Sequence, residues 1–238
     1  MTDDTAFDGT PREEGRVTSD ERSMRWVIDG ALDAGPTVVL AHGAGAGMEH
    51  PWLVELARSW CAAGLTVVRF HFPYMQRRED EGSRKPPDRA PRLLDAWRAV
   101  LDEVIARRAA AGANGPLVLA GKSMGARMAS MLLAEGRAPE AAGGVWLGYP
   151  LHPSGHPEKE GTRAAHLPDV PVPQLFVWGS RDALAEGERL GEVVAGLPAA
   201  RLLEVPGGDH SLARRKKDAH LSEVDWVAET AAFVHGLG

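Results

Sequence analysis

Seven short apolar or β-branched runs recur along the chain with helical stretches between most of them, and this alternation limits the folds open to it. The runs are MRWVI, PTVVLAH, LTVVRF, PLVLAG, GVWLGY, PQLFVW and ARLLEV, each of a length suited to a buried strand. Residues 51–63, 92–111, 184–197 and 222–237, and the stretch after Ser123, instead carry apolar residues three or four apart. In 92–111, for example, Leu93, Leu94, Trp97, Val100, Leu101, Val104 and Ile105 make one apolar face. Parallel strands need a long crossover between them, so this repetition predicts an α/β fold: a mostly parallel, doubly wound sheet flanked by helices. The polar residues 1–22 read as a disordered lead-in to a single domain over 23–238. Residues 73–91 and 149–173, rich in proline, glycine or charge, read as loops that wall a crevice at the carboxyl ends of strands. The last two runs leave little room between them for a large cap domain.

Composition removes several function classes. A net charge of -6 gives no broad electrostatic reason to bind nucleic acid or an anionic membrane surface. Nowhere is there an apolar run of about eighteen residues, so no membrane span is expected. The N-terminal stretch lacks the basic start and apolar core of a signal peptide, which makes the cytoplasm the expected compartment. The single cysteine, Cys61, has no internal disulfide partner and reads as a buried thiol.

The stretch LAGKSMGARMAS places Ser123 between Gly121 and Gly125, at the turn between a predicted strand and a predicted helix. G-x-S-x-G in that context is a nucleophile elbow, which lifts a serine hydroxyl above the sheet edge. A serine needs a base to take its proton, and that base needs an acid to orient it. His210, in VPGGDHSL after the last predicted strand, is the expected base, and Asp182, in GSRD after the strand before it, is the expected acid. Asp182 has a rival role as a helix cap, and Asp209 is the second choice of acid because it adjoins the base. The charge of an acyl-transfer transition state needs two N–H donors, assigned to the backbones of Met124 and of Ala44 in the loop HGAGAG.

Seven further residues are candidates for the substrate pocket. His42 opens the glycine-rich loop, and Lys122 and Arg127 flank the elbow. Arg69, His71 and Tyr74 stand where a strand meets the first long connection, and His152 lies in the second. His152 and His156 have a spacing that suggests a metal, but the proline and glycine between them and the want of a third ligand argue against one. No metal and no cofactor are expected.

In their order and placement AHGAGAG, GKSMG, GSRD and GGDHSL resemble the α/β-hydrolase fold from about Met24 onward. RFHFPY, GKSMGARMAS and GYPLHPSGHPE more closely resemble a dienelactone-hydrolase-like group of small α/β-hydrolases that includes bacterial relatives of a eukaryotic testis-expressed protein. The resemblance implies that fold and its ordered triad. Dienelactone hydrolases use a cysteine nucleophile, so Ser123 argues against dienelactone itself as the substrate. The expected activity is cleavage of a small ester or thioester through an acyl-enzyme. The alternatives are a non-catalytic binding or scaffold protein that kept the fold, and cofactor-free haloperoxidase-like or lyase chemistry on the same residues.

Overall fold

The computed structural model describes residues 5–82, 86–159, 161–218 and 220–238. Its strands are β1 (Thr5–Ala6), β2 (Thr10–Ser19), β3 (Arg22–Asp29), β4 (Thr37–Ala41), β5 (Thr66–Phe70), β6 (Leu117–Lys122), β7 (Gly143–Leu147), β8 (Gln174–Gly179) and β9 (Ala200–Val205). Its helices are α1 (Pro51–Ala62), α2 (Pro73–Glu81), α3 (Ala90–Ala111), α4 (Met124–Ala134), α5 (Gly161–Ala164), α6 (Gly187–Ala195) and α7 (Trp226–His235). One sheet runs in the order β1, β2, β3, β5, β4, β6, β7, β8, β9. From β5 to β9 all pairings are parallel, and β1 to β3 join antiparallel at one side. All seven apolar runs lie in strands, so the mostly parallel α/β architecture is as expected.

Alternation along the central strands builds two cores. Val39 and Ala41 of β4 point to the layer that holds α3 and α4, while Val38 and Leu40 point to the layer that holds α1 and α7. Helix α3 buries Leu93, Leu94, Trp97, Val100, Leu101 and Val104 on its inner face. Pro91 sits in its first turn, where a missing N–H costs nothing, and Gly112, at φ 70, ends it. No helix among the described residues is long and apolar enough to cross a membrane.

Two expectations fail on the N-terminal side. Of the supposed disordered lead-in, residues 10–19 form β2, paired with β3 from Arg12 opposite Asp29 to Ser19 opposite Arg22; residues 1–4 lie outside the described residues. An antiparallel strand near the sheet edge needs only one half-buried face, so its polar composition concealed it. A Cβ at Gly15 would fall 2.4 Å from the ring of Trp26, so this glycine lets the indole lie across β2. The stretch 73–91, expected to be a loop, begins instead with α2; residues 83–85 lie outside the described residues. Only the first turn of α2 is buried, from Pro73 to Gln76, too short a span to show a period. The other predicted loop, 149–173, carries nothing longer than the four-residue α5 among the described residues, and no large cap is present.

Asp29, at the end of β3, is fully buried and joins three elements. Its Oδ2 accepts from Nη2 of Arg69 at 2.8 Å, and its Oδ1 accepts from Nε of Arg12 at 2.8 Å. Arg69 is also fully buried, and its Nη1 donates to the carbonyl of Met48 at 2.7 Å. Arg69 therefore fastens β5 to β3 and does not reach a pocket, contrary to its placement by sequence.

Candidate active site

Ser123 stands between β6 and α4 with φ 54 and ψ -113, a backbone conformation that costs a non-glycine residue about 1–3 kcal/mol. The turn is sharp enough that the positions two residues to either side of the serine have no room for a side chain. A Cβ at Gly121 would fall 2.3 Å from the nitrogen of Ala126, and one at Gly125 would fall 2.6 Å from the carbonyl oxygen of Ala41. Both obstacles are backbone atoms, so neither can rotate away. Gly121→Ala is expected to cost about 1–3 kcal/mol of stability as overpacking, read as a lower urea midpoint with an unchanged slope.

His210, in the loop after β9, lies with Nε2 3.0 Å from Oγ of Ser123 and Nδ1 2.8 Å from Oδ2 of Asp182. Asp182 is buried, and its Oδ1 accepts from the N–H of Leu184 at 2.9 Å. It does not cap α6, which starts later than expected, at Gly187. A carboxylate against Nδ1 keeps the proton there and leaves the Nε2 lone pair for the serine. Asp209 does a different job: its Oδ1 accepts from the N–H groups of Ser211 and Ala213 at 2.8 and 3.1 Å, closing the turn that carries His210. Lys122 donates from Nζ to the carbonyl of His210. Burial pushes Lys122 down to about 8, against the opposing pull of Asp182 and Asp209.

The backbone N–H groups of Met124 and Ala44 have no hydrogen-bond acceptor among the described residues. Both residues line, with Ser123, a cavity of about 360 Å³. The loop that carries Ala44 is fixed from below. The hydroxyl of Tyr74 lies 3.1 Å from the carbonyl of Gly43 and 3.0 Å from that of Ala44. His42, fully buried, accepts the N–H of Phe72 at Nε2 (3.0 Å), so its Nδ1 carries the proton and donates to the carbonyl of Gly43 at 2.7 Å.

Burial holds His42 down at about 3, so it is neutral in the folded protein at ordinary pH. In the unfolded chain the same ring takes a proton near the usual value of about 6.5. Unfolding therefore takes up a proton between these limits. Stability is full above about 6.5 and falls as pH drops below it, by about 1.4 kcal/mol per unit from this residue. Urea unfolding at pH 7 and pH 5 checks this; equal midpoints would mean that the ring meets water.

The sequence-derived pocket residues separate into groups. Arg127 lines the 360 Å³ cavity beside Ser123, and Lys122 lines a second cavity of about 340 Å³ on the other side of the serine, with Trp52 and His210. His42 and Tyr74 lie beneath the loop as supports. His71 borders a separate cleft, with Nδ1 accepting the N–H of Met48 at 3.4 Å and Nε2 3.4 Å from Glu79. His152 is buried against the carbonyl of Pro153 and lines neither cavity at Ser123. Proximity to a strand end places a residue near the site without fixing which way it points. Arg163, which also lines the 360 Å³ cavity, was not singled out by sequence; only the wall formed by 149–173 as a whole signals it. Among the described residues no group of three histidines, cysteines or acids has the placement of a metal site. Cys61, half-buried with Sγ 3.3 Å from the carbonyl of Asp29, is pushed up to about 12 by burial and is an inert thiol.

A family model described as alpha/beta hydrolase domain matches residues 34–235. The chain belongs to this family. Solved structures agree with the hydrolase fold over almost the whole length. An alpha-beta serine hydrolase homologue from Coxiella burnetii matches with a TM-score of 0.66 at 19% identity, covering 94% of this chain and 96% of the other. A dienelactone hydrolase from Anabaena variabilis matches with a TM-score of 0.68 at 17% identity and 96% coverage of each chain. A cold-adapted esterase from an Arctic intertidal metagenomic library matches with a TM-score of 0.69 at 17% identity, covering 99% and 97%. At these identities the likeness concerns the fold, and the chemistry of this alpha/beta hydrolase has to be argued from its own residues.

Proposed function

We propose that this alpha/beta hydrolase is a serine hydrolase that cleaves a small ester or thioester through an acyl-enzyme. The observation that carries the reading is His210, within hydrogen-bond reach of Ser123 through one ring nitrogen and of buried Asp182 through the other. Oγ of Ser123 attacks the substrate carbonyl as Nε2 of His210 takes its proton, and Asp182 stabilises the charged ring. The carbonyl oxygen, now negative, is received by the free N–H groups of Met124 and Ala44. As the intermediate collapses, His210 returns the proton to the departing alkoxide or thiolate. Water then attacks the acyl-serine by the same route, giving the acid and restoring Oγ–H. No step asks for a cofactor.

The two cavities that meet at Ser123 suit the two halves of such a substrate. His210 must protonate the leaving group, and it lines the cavity that also holds Trp52 and Lys122. The leaving group belongs there, and the acyl chain belongs in the 360 Å³ cavity beside Met124 and Arg127. That volume is at the small end of the range of about 300–1,000 Å³ for ligand pockets, which favours a short acid.

Labelling with a fluorophosphonate probe tests the reading, because the probe reports an activated serine whatever the natural substrate is. Wild type is expected to label, and Ser123→Ala and His210→Ala are each expected to lose the label. A folded wild type that does not label would remove the nucleophile and favour a binding protein.

A further inference from the structure

Arg127 and Arg163 are the two cations in the wall of the proposed acyl cavity, and among the described residues neither pairs with a carboxylate. Nε of Arg127 is buried and makes no hydrogen bond. Arg163 gives only Nη1, to the carbonyl of His152 at 3.0 Å. Most other guanidinium groups of this chain meet an acid, as Arg12 and Arg69 do at Asp29. Two unpaired guanidinium groups on one partly buried wall are a costly arrangement unless something negative comes between them.

The wall is also braced around them. The hydroxyl of Ser130 donates to the carbonyl of Arg127 at 2.9 Å, and the hydroxyl of Tyr149 donates to the carbonyl of Arg163 at 2.8 Å. Nε2 of His166 lies 2.8 Å from Oγ of Ser130 and completes the link between α4 and the 149–173 segment. Burial, then the charge of Arg127, holds His166 down at about 4, so the brace itself is neutral above about pH 5. The one acid of the cavity wall, Asp88, has its charge met at Oδ1, to which Arg77 donates at 3.1 Å and Arg92 at 3.5 Å, with Arg22 at 3.9 Å, while its Oδ2 is buried and makes no hydrogen bond.

Position agrees with charge. Arg127 follows Ser123 by four residues on one helix face, about 6 Å along the axis, and helical side chains lean back toward the N-terminus and hence toward the serine. Building on the hydrolase reading above, we infer that the Arg127 and Arg163 pair is a carboxylate subsite, and that the substrate is an ester or thioester of a short dicarboxylic acid. The far carboxylate lies between the two guanidinium groups and accepts charge-assisted N–H···O bonds from them, while the near carbonyl is held over Ser123.

The test compares mono-4-nitrophenyl adipate with its neutral methyl ester. Wild type is expected to prefer the anionic ester in kcat/KM by about tenfold or more, the effect of one charge-assisted hydrogen bond or better. That preference is expected to fall at least tenfold in Arg127→Gln and, separately, in Arg163→Gln. Because it is a ratio, a general loss of activity in either variant cancels. A wild type that shows no preference, or a preference that survives both substitutions, overturns the inference. Calorimetric titration with adipate itself needs no turnover and decides the matter if no ester is cleaved. Binding to wild type that is lost in Arg127→Gln upholds the subsite, whereas no binding to wild type refutes it even if fluorophosphonate labelling succeeds.

Discussion

Ser123→Ala is expected to slow ester turnover on the order of a million-fold while leaving the fold in place. Oγ of Ser123 has His210 as its only hydrogen-bond partner among the described residues, so removing it strands no other group. His210→Ala is expected to cost about as much, and the double variant little more than either alone, because the two side chains act as one unit. Asp182→Asn is milder, about ten-thousand-fold, since the ring remains but an amide no longer holds the proton on Nδ1. Steady-state rates with 4-nitrophenyl acetate, read beside thermal melts, separate lost chemistry from lost structure. A Ser123→Ala protein that keeps more than a tenth of wild-type turnover would remove the serine from the mechanism.

The largest expected loss of stability comes from Asp29→Ala. Asp29 and Arg69 are both fully buried, and the Arg12 guanidinium lies on the other oxygen of the same carboxylate. Removing the acid leaves the buried Arg69 with only the half-exposed Glu49, 3.3 Å from its Nη1, as an anionic partner, which costs about 3–5 kcal/mol, a large part of the 5–15 kcal/mol that holds a typical domain together. Replacing Asp29 and Arg69 together by leucine and methionine is expected to recover much of that loss, because an apolar pair carries no desolvation penalty. Urea unfolding of the single and double variants measures both quantities. A loss below 1 kcal/mol in Asp29→Ala would show that water reaches Arg69.

The central sheet was legible because strands buried on both faces, such as Thr37–Ala41 and Thr66–Phe70, are short runs dominated by apolar and β-branched residues, with few other readings. Strand β2 was not, because a strand with one half-buried face can carry charge on the other, as TPREEGRVTS does. The residues now meeting at Ser123 were legible for a local reason: each occupies a turn just past a strand, where glycine and a polar side chain stand together. Asp182 was separable from Asp209 because a residue next to the base in sequence is held by the base's own turn. Pocket membership was much less legible. Arg69 sits one residue from Phe70 and two from His71, and only the pleat of a strand already placed in the sheet decides that its guanidinium turns inward to Asp29. Arg163 lies in a segment with neither strand nor long helix, where no period indicates direction.

Ser123, Asp182 and His210 come from three separate crossings of the sheet, with serine and histidine 87 positions apart and acid and histidine 28 positions apart. No fragment ending before β9 contains the base, and no local hairpin or helix brings the three together. Contacts this distant in sequence form late, since the loops between them must close first. A refolding chain should accordingly regain helical signal and a buried tryptophan environment before it regains a serine that reacts. Reactivity toward a phosphonate would then serve as a clock for the last stage of folding, blind to every compact intermediate that precedes it.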